Sequence, residues 1–312
     1  MPSSRNWDSR QTESPLGEIM KIAVIGLGEV GRCYAKALHI AGFQLRLCDT
    51  RPAPVASALA ATWELPIQTS VGDWLRECDW MLSCVTGAHA LGVAEQCLAH
   101  AHPGAALCDL TTASPDTKRS AAKLAAARSI RYIDVAIMGA ISLSLEKTPL
   151  LASGASAAEF AELLTRAGGN ARAIHGGAAG DAIALKILRS VFTKGMEALG
   201  VELLMAAEAQ GVREKLYTQL RDIDETPLRT FIDMLVRTHV IHARRRAHEV
   251  HDAAAELAKH GIPSVVLPGV EERFAKTIAK LETQAPPQTE PTIEEALAWL
   301  LGKTQPTGAG KG

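Results

Sequence analysis

The stretch KIAVIGLGEVG, residues 21–31, constrains this chain more than any other. Ile22–Ile25 is an unbroken apolar run suited to a strand buried on both faces, and 29–42 carries a helical pattern closed by Gly42. Between them lies Gly26-Leu27-Gly28-Glu29-Val30-Gly31. In this setting Gly26 permits a tight turn, Gly28 lets a backbone approach a pyrophosphate, and Gly31 lets the helix sit close to the sheet. The helix start offers unbonded N–H groups to an anion. Asp49 ends a second strand, 44–49, and stands 23 residues after Gly26, where a carboxylate accepts hydrogen bonds from both hydroxyls of an adenosine ribose. Asp49 therefore favours NAD. Thr50 and Arg51 follow, and a guanidinium here can pair with a 2′-phosphate, so NADP stays open.

Further strands are expected at 80–85, 105–110 and 131–137, with two shorter ones at 148–154 and 171–176, and helices at 54–63 and 114–129. This alternation predicts an α/β Rossmann domain, a doubly wound parallel sheet, over residues 20–176. From Asp181 to Gln210 there is no proline, and apolar residues recur at helical spacing, which predicts one long helix. The patterns at 213–223, 226–261 and 270–282 are also helical, so 177–282 is read as an all-α substrate and dimerisation domain joined through the long helix. Residues 1–19 are polar and read as a disordered leader. Residues 283–312 begin with a Pro-rich linker, and Thr292-Ile-Glu-Glu295 is a capping box opening a short helix through Leu301, whose Ile293, Leu297 and Leu300 offer a docking face.

Composition excludes several classes. A hydrophobic share of 47% with 21% charge is that of a packed globular chain rather than a disordered one. A formal charge of -1 removes the electrostatic footprint of a nucleic-acid binder, and no apolar run reaches the length of a membrane span. The six cysteines show no CxxC and no zinc-like spacing, which reads as reduced thiols in a cytoplasmic protein.

Four segments in order, KIAVIGLGEVG, DLTTASP (109–115), DVAIMGA (134–140) and GDAIALKILRS (180–190), resemble the β-hydroxyacid dehydrogenases, the superfamily of 3-hydroxyisobutyrate and 6-phosphogluconate dehydrogenases. The run LKILRSVFTKGMEAL is similar to a phosphogluconate-dehydrogenase-like branch whose C-terminal domain has no assigned function. The resemblance implies a Rossmann domain, a long interdomain helix, a helical C-terminal domain and an active site in the cleft between them. It also implies a homodimer formed through the helical domain. Position by position, it makes Lys186, six residues after Gly180, the general acid/base, with its pKa lowered by burial and by Lys194 or Arg189. It places Val85, Thr86 and Thr112 against the nicotinamide half of the cofactor, and Thr111 close to ribose, amide or substrate.

The departures fall in the substrate pocket. The Ser-Gly-Gly expected to grip a carboxylate is Met138-Gly139-Ala140, and the polar pair after the lysine is Arg189-Ser190. A cationic helix, 237–251, supplies His242, Arg245 and Arg246 as candidates for the substrate anion; two HxxH spacings there lack a set that completes a metal shell, so no metal site is assigned. The expected activity is hydride transfer between NAD(P) and a small β-hydroxy acid or sugar acid, with decarboxylation open. Reduction of an imine or a non-carboxylate carbonyl is the alternative, and a non-catalytic NAD(P) sensor is the second.

Overall fold

The computed structural model describes residues 20–303; the expected leader lies outside them, as do the last residues of the tail. The described chain divides into two compact units, with the division between Val191 and Phe192, which are consecutive residues of one helix.

The first unit is a sheet with helices on its faces. Its elements are β1 (Lys21–Ile25), α1 (Glu29–Ile40), β2 (Gln44–Cys48), α2 (Pro54–Thr62), β3 (Ile67–Gln68), β4 (Trp80–Ser83), α3 (Ala90–His100) and β5 (Ala106–Asp109). There follow α4 (Pro115–Ala126), β6 (Arg131–Ile137), α5 (Ile141–Ser144), β7 (Pro149–Ser153), α6 (Ala157–Arg166) and β8 (Asn170–Ala173). The eight strands lie in the order β3-β2-β1-β4-β5-β6-β7-β8, the doubly wound order extended by two strands. All neighbours pair in parallel except β6 with β7, which run antiparallel. Short apolar strands suit a sheet covered on both faces. Val24, Leu82, Cys108 and Ile133 pack towards one helical layer, and Ala23, Met81, Leu107 and Tyr132 towards the other. Helix α3 and helix α6 fall in stretches that the sequence pattern had left unassigned. Ala90, Ala94, Cys97 and Leu98 give α3 a buried stripe of small side chains, and Phe160, Leu163 and Leu164 do the same for α6.

The strand order reverses between β1 and β4, and the ends of β1, β2, β4 and β5 open on the same edge. In open α/β sheets, ligands bind in the crevice at this reversal.

Helix α7 (Asp181–Ala209) carries the chain into the second unit, where α8 (Arg213–Gln219), α9 (Arg221–Asp224), α10 (Leu228–Lys259), α11 (Leu267–Thr283) and α12 (Ile293–Leu301) follow. Helix α11 starts where Glu202 of α7 accepts backbone hydrogen bonds from Val265 at 2.8 Å and Val266 at 3.1 Å. That role explains a carboxylate inside the apolar tract 198–207. The capping box forms as the sequence implies: Glu295 N–H donates to Thr292 Oγ1 at 3.2 Å and Thr292 N–H donates to Glu295 Oε2 at 2.8 Å. Helix α12 packs within this unit, burying Ala296 and Trp299 with Val240 of α10, while Leu297 of the expected docking face stays exposed.

Candidate active site

The glycine turn meets the steric demands of its motif. Gly26 has φ +87°, left-handed backbone that a side chain would strain. A Cβ at Gly31 would stand 1.9 Å from the Gly26 carbonyl oxygen, so only glycine lets α1 approach the turn. A Cβ at Gly28 would meet nothing within 4 Å: the backbone there faces open space. No side chain caps α1 at Gly28, which leaves the first-turn N–H groups of Glu29, Val30 and Gly31 available to an anion. Arg32 braces the turn by donating from Nη1 to the Leu27 carbonyl at 2.9 Å.

Asp49 leaves the end of β2 and reaches this turn. Its Oδ2 accepts from Leu27 N–H at 2.7 Å and its Oδ1 from Arg51 N–H at 2.8 Å. Each oxygen keeps a lone pair for a ribose hydroxyl. Thr50 and Arg51 are exposed beside it. After β4 come Val85 and Thr86, the latter bonded through Oγ1 to His89 Nδ1 at 2.8 Å. Gly87 packs on Thr112, so the loops after β4 and β5 touch. These residues fit a dinucleotide: a glycine cradle open to the pyrophosphate, a helix start for its charge and a carboxylate for the ribose.

The loop after β5 separates the two neighbouring threonines. Thr112 is exposed, whereas Thr111 is buried and its Oγ1 accepts from Ala113 N–H at 3.3 Å. Thr111 thus shapes the turn, and its hydroxyl is not presented to substrate. Met138 is half-buried against Ala182 and Ile174, with Gly139 and Ala140 exposed after it.

Lys186 is half-buried on α7, one turn beyond the buried Ile183 and next to the partly exposed Ile187. Among the described residues no carboxylate lies within ion-pair reach of its ammonium. Burial first, and the positive charge of Lys118 second, hold its proton affinity below that of an ordinary lysine. The neighbouring cation is therefore neither Lys194, whose ammonium pairs with Glu197 on its own helix, nor Arg189, which is exposed with Ser190.

Lys118 belongs to a polar cluster that went unread in the sequence. Its Nζ is fully buried, donates to the Asp109 carbonyl at 2.7 Å, and lies 3.0 Å from Asp109 Oδ1 and 3.3 Å from Asp134 Oδ1. Asp109 also accepts from Thr111 N–H at 2.9 Å and from the Tyr132 hydroxyl at 2.6 Å. Asp134 Oδ2 accepts from the N–H groups of Gly180 and Ile183, both at 3.1 Å, and so caps α7 from inside the sheet. The available signal was a charge inside each of two apolar strands, AALCDL and RYIDVAI, since a buried carboxylate needs partners.

In the second unit, Arg245 pairs with Glu249 and Arg244 with Glu282 at 3.8 Å, while His242 is exposed. Arg246 is half-buried, and no carboxylate among the described residues lies within ion-pair reach of it.

Fold and site together define an NAD(P)-binding domain of oxidoreductase type followed by a helical region. The chain belongs to the family of the NAD binding domain of 6-phosphogluconate dehydrogenase, whose model matches residues 21–177. A domain of unknown function (DUF1932) matches residues 207–277. Conserved protein MTH1747, of unknown function and described as structurally similar to 3-hydroxyacid dehydrogenases, is 30% identical over 85% of this chain and 100% of its own, with a TM-score of 0.59. An uncharacterized 28.5 kDa protein of Methanothermus fervidus is 26% identical over 82% of this chain and 98% of its own. A variant imine reductase of Myxococcus stipitatus, solved with NAD+, shares the fold at 18% identity and a TM-score of 0.70, covering 90% of this chain and 99% of its own. No helix among the described residues is long and apolar enough to cross a membrane.

Proposed function

We propose that this protein is an NAD(P)-dependent oxidoreductase acting on the CH–OH of a small β-hydroxy acid or sugar acid, with Lys186 as general acid/base. The observation that carries this reading is the state of Lys186: half-buried, lacking a carboxylate partner among the described residues, and held below ordinary lysine basicity. A lysine in an ion pair would hold its proton more tightly; one that is desolvated beside another cation gives it up more readily than an ordinary lysine does. The bound nicotinamide supplies the hydride chemistry. Gly26, Gly28, Gly31 and the start of α1 hold the phosphates, Asp49 and Arg51 the ribose end, and Val85, Thr86 and Thr112 the nicotinamide side. On α10, Arg244 and Arg245 are each paired with a glutamate, whereas Arg246 has no carboxylate within ion-pair reach among the described residues and stays available to an anion. Where the substrate is a secondary β-hydroxy acid, the product is a β-keto acid that can lose carbon dioxide, so a decarboxylating outcome stays open.

A second reading, reduction of an imine or a carbonyl lacking a carboxylate, is favoured by Met138. It sets an apolar wall with Ala182 and Ile174 where the resemblance expects polar groups. The solved imine reductase supports only the fold of that reading.

We also infer a homodimer through the helical region. Leu188, Val191, Met196, Val201 and Met205 of α7 are all more than half exposed, and a helix apolar on every side is normally covered. Six unpaired cysteines, four of them buried, fit a reducing cytoplasmic setting.

The test is a screen of hydroxy acids, sugar acids and cyclic imines with NAD and NADP in parallel, run beside Lys186→Ala. Turnover of a hydroxy acid that falls by orders of magnitude in Lys186→Ala, with nucleotide affinity retained, is the expected result. Turnover confined to imines favours the second reading, and undiminished turnover in Lys186→Ala removes the role of that residue. Hydride transfer with no compound leaves an NAD(P)-sensing protein.

A further inference from the structure

Three ionisable side chains, Lys118, Asp109 and Asp134, lie together with almost no solvent exposure. Each buried ion costs several kcal/mol of hydration, and an apolar cluster of the same volume is often at least as stable. Stability alone therefore does not account for a lysine at position 118. What the geometry adds is a connection. Asp109 holds the Thr111 N–H at 2.9 Å and so sets the loop that presents Thr112, while Asp134 holds the first turn of α7 through Gly180 and Ile183 at 3.1 Å. Asp109 and Asp134 face each other as register partners on β5 and β6, and Lys118 Nζ lies within ion-pair distance of both carboxylates, although Asp134 Oδ1 accepts no hydrogen bond.

We propose that Lys118 is a positioning residue for Lys186: through Asp109 and Asp134 it ties the 109–115 loop to the start of α7, the helix that carries Lys186. The proposal rests on the reading of Lys186 as the proton-exchanging group.

The charges around that first turn are few. From α4 come Lys118 and Arg119, the latter packed on Gly180 and paired with Asp116 at 2.6 Å; from the strands come Asp109 and Asp134. On α7 itself, Asp181 is engaged with Ala178 N–H at 2.8 Å, and Arg189 is exposed. Of these, Lys118 is the charge that lowers the proton affinity of Lys186, after burial.

The test needs no substrate. Competitive acetylation of the intact full-length protein by acetic anhydride across pH, read by mass spectrometry, gives the half-point of Lys186. In Lys118→Met/Asp109→Asn, which leaves the net charge of the cluster unchanged, release of the first turn of α7 leaves Lys186 more solvated, and the half-point is expected to rise towards the ordinary lysine value. Lys118→Arg, which keeps the tie, should leave it near the wild-type value. A half-point that stays fixed in the folded double variant overturns the proposal. Loss of the circular dichroism of the folded chain in both variants also ends it, because the cluster would then be purely structural. Failure of the Lys186 reading shows separately, as turnover retained in Lys186→Ala while these half-points still move.

Discussion

Gly31 stands so close to Gly26 that a single added methyl group at Gly31 would overlap the Gly26 carbonyl oxygen, at 1.9 Å. Backbone meets backbone there, so relief requires moving α1 away from the turn. Gly31→Ala is expected to cost roughly 1–3 kcal/mol or more, as overpacking does, and to weaken nucleotide binding with it. Gly28→Ala is the contrast: its Cβ meets nothing, so the melting temperature should hold while nucleotide affinity falls at least about tenfold. Thermal unfolding with and without NAD separates the two effects. A Gly28→Ala variant that binds nucleotide like the wild type would show that the open space is not the phosphate cradle.

Asp49 and Arg51 are expected to decide between the two cofactors. The Asp49 carboxylate is fixed by the Leu27 and Arg51 N–H groups, and a carboxylate at the end of the second strand disfavours a 2′-phosphate. The Arg51 side chain is exposed. NAD is expected to bind more tightly than NADP. Arg51→Ala should leave the NAD Kd within about twofold and weaken NADP about tenfold, the loss of one charge-assisted contact. Fluorescence titration with both nucleotides measures this, and equal losses for the two would remove Arg51 from the 2′-phosphate.

Lys186 should govern the pH dependence of oxidation. The neutral amine accepts the hydroxyl proton, so kcat is expected to rise with pH through a half-point below that of an ordinary lysine. The same shift sets a stability slope. Between the lowered native pKa and the ordinary unfolded one, the unfolded chain binds more protons at Lys186, so its contribution to stability rises with pH through that window. In Lys186→Met the kcat half-point is lost and the slope flattens. A half-point at the usual lysine value would mean that the side chain is solvated during turnover.

The Rossmann unit was legible because its signals are local. Apolar strands, the glycine spacing and Asp49 each show within a few residues. The long helix from Asp181 was legible from its periodicity. The Lys118 cluster was not, since Lys118, Asp109 and Asp134 come from three separate elements and only the register of β5 on β6 brings them together. For the same reason the sequence points to Lys194 or Arg189, cations on the same helix as Lys186, rather than to one on α4. Thr111 and Thr112 look equivalent as neighbours, but the turn buries one hydroxyl and leaves the other out. The antiparallel β7 carried no sequence mark either, because strand direction is set by the path of the 138–148 connection rather than by composition.

The helical region should pair with a second copy of itself. Light scattering is expected to give twice the chain mass, and replacing Met196 and Met205 of α7 by aspartate should shift it towards one. Nucleotide binding, which depends on the glycine turn, should survive that change. A single-chain mass for the wild type would leave the exposed face of α7 without the inferred partner.

His239 is expected to make the second unit sensitive to acid. Its Nε2 is 2.8 Å from Thr277 Oγ1, and its ring packs edge-on against Phe274. Burial, then Arg273, then Arg246 hold its pKa below the ordinary histidine value of 6.5. The native state therefore binds fewer protons at His239 than the unfolded state does between the two values. Stability is complete above about pH 6.5 and declines as the pH falls through that window, because the unfolded ring takes up a proton that the folded ring refuses. In His239→Gln, which keeps a partner for Thr277, thermal unfolding between pH 7 and pH 5 should lose part of its slope. In the wild type, NMR should show His239 titrating below the ordinary histidine value of 6.5. If it titrates at that value, solvent reaches the ring freely and the acid sensitivity must come from another group.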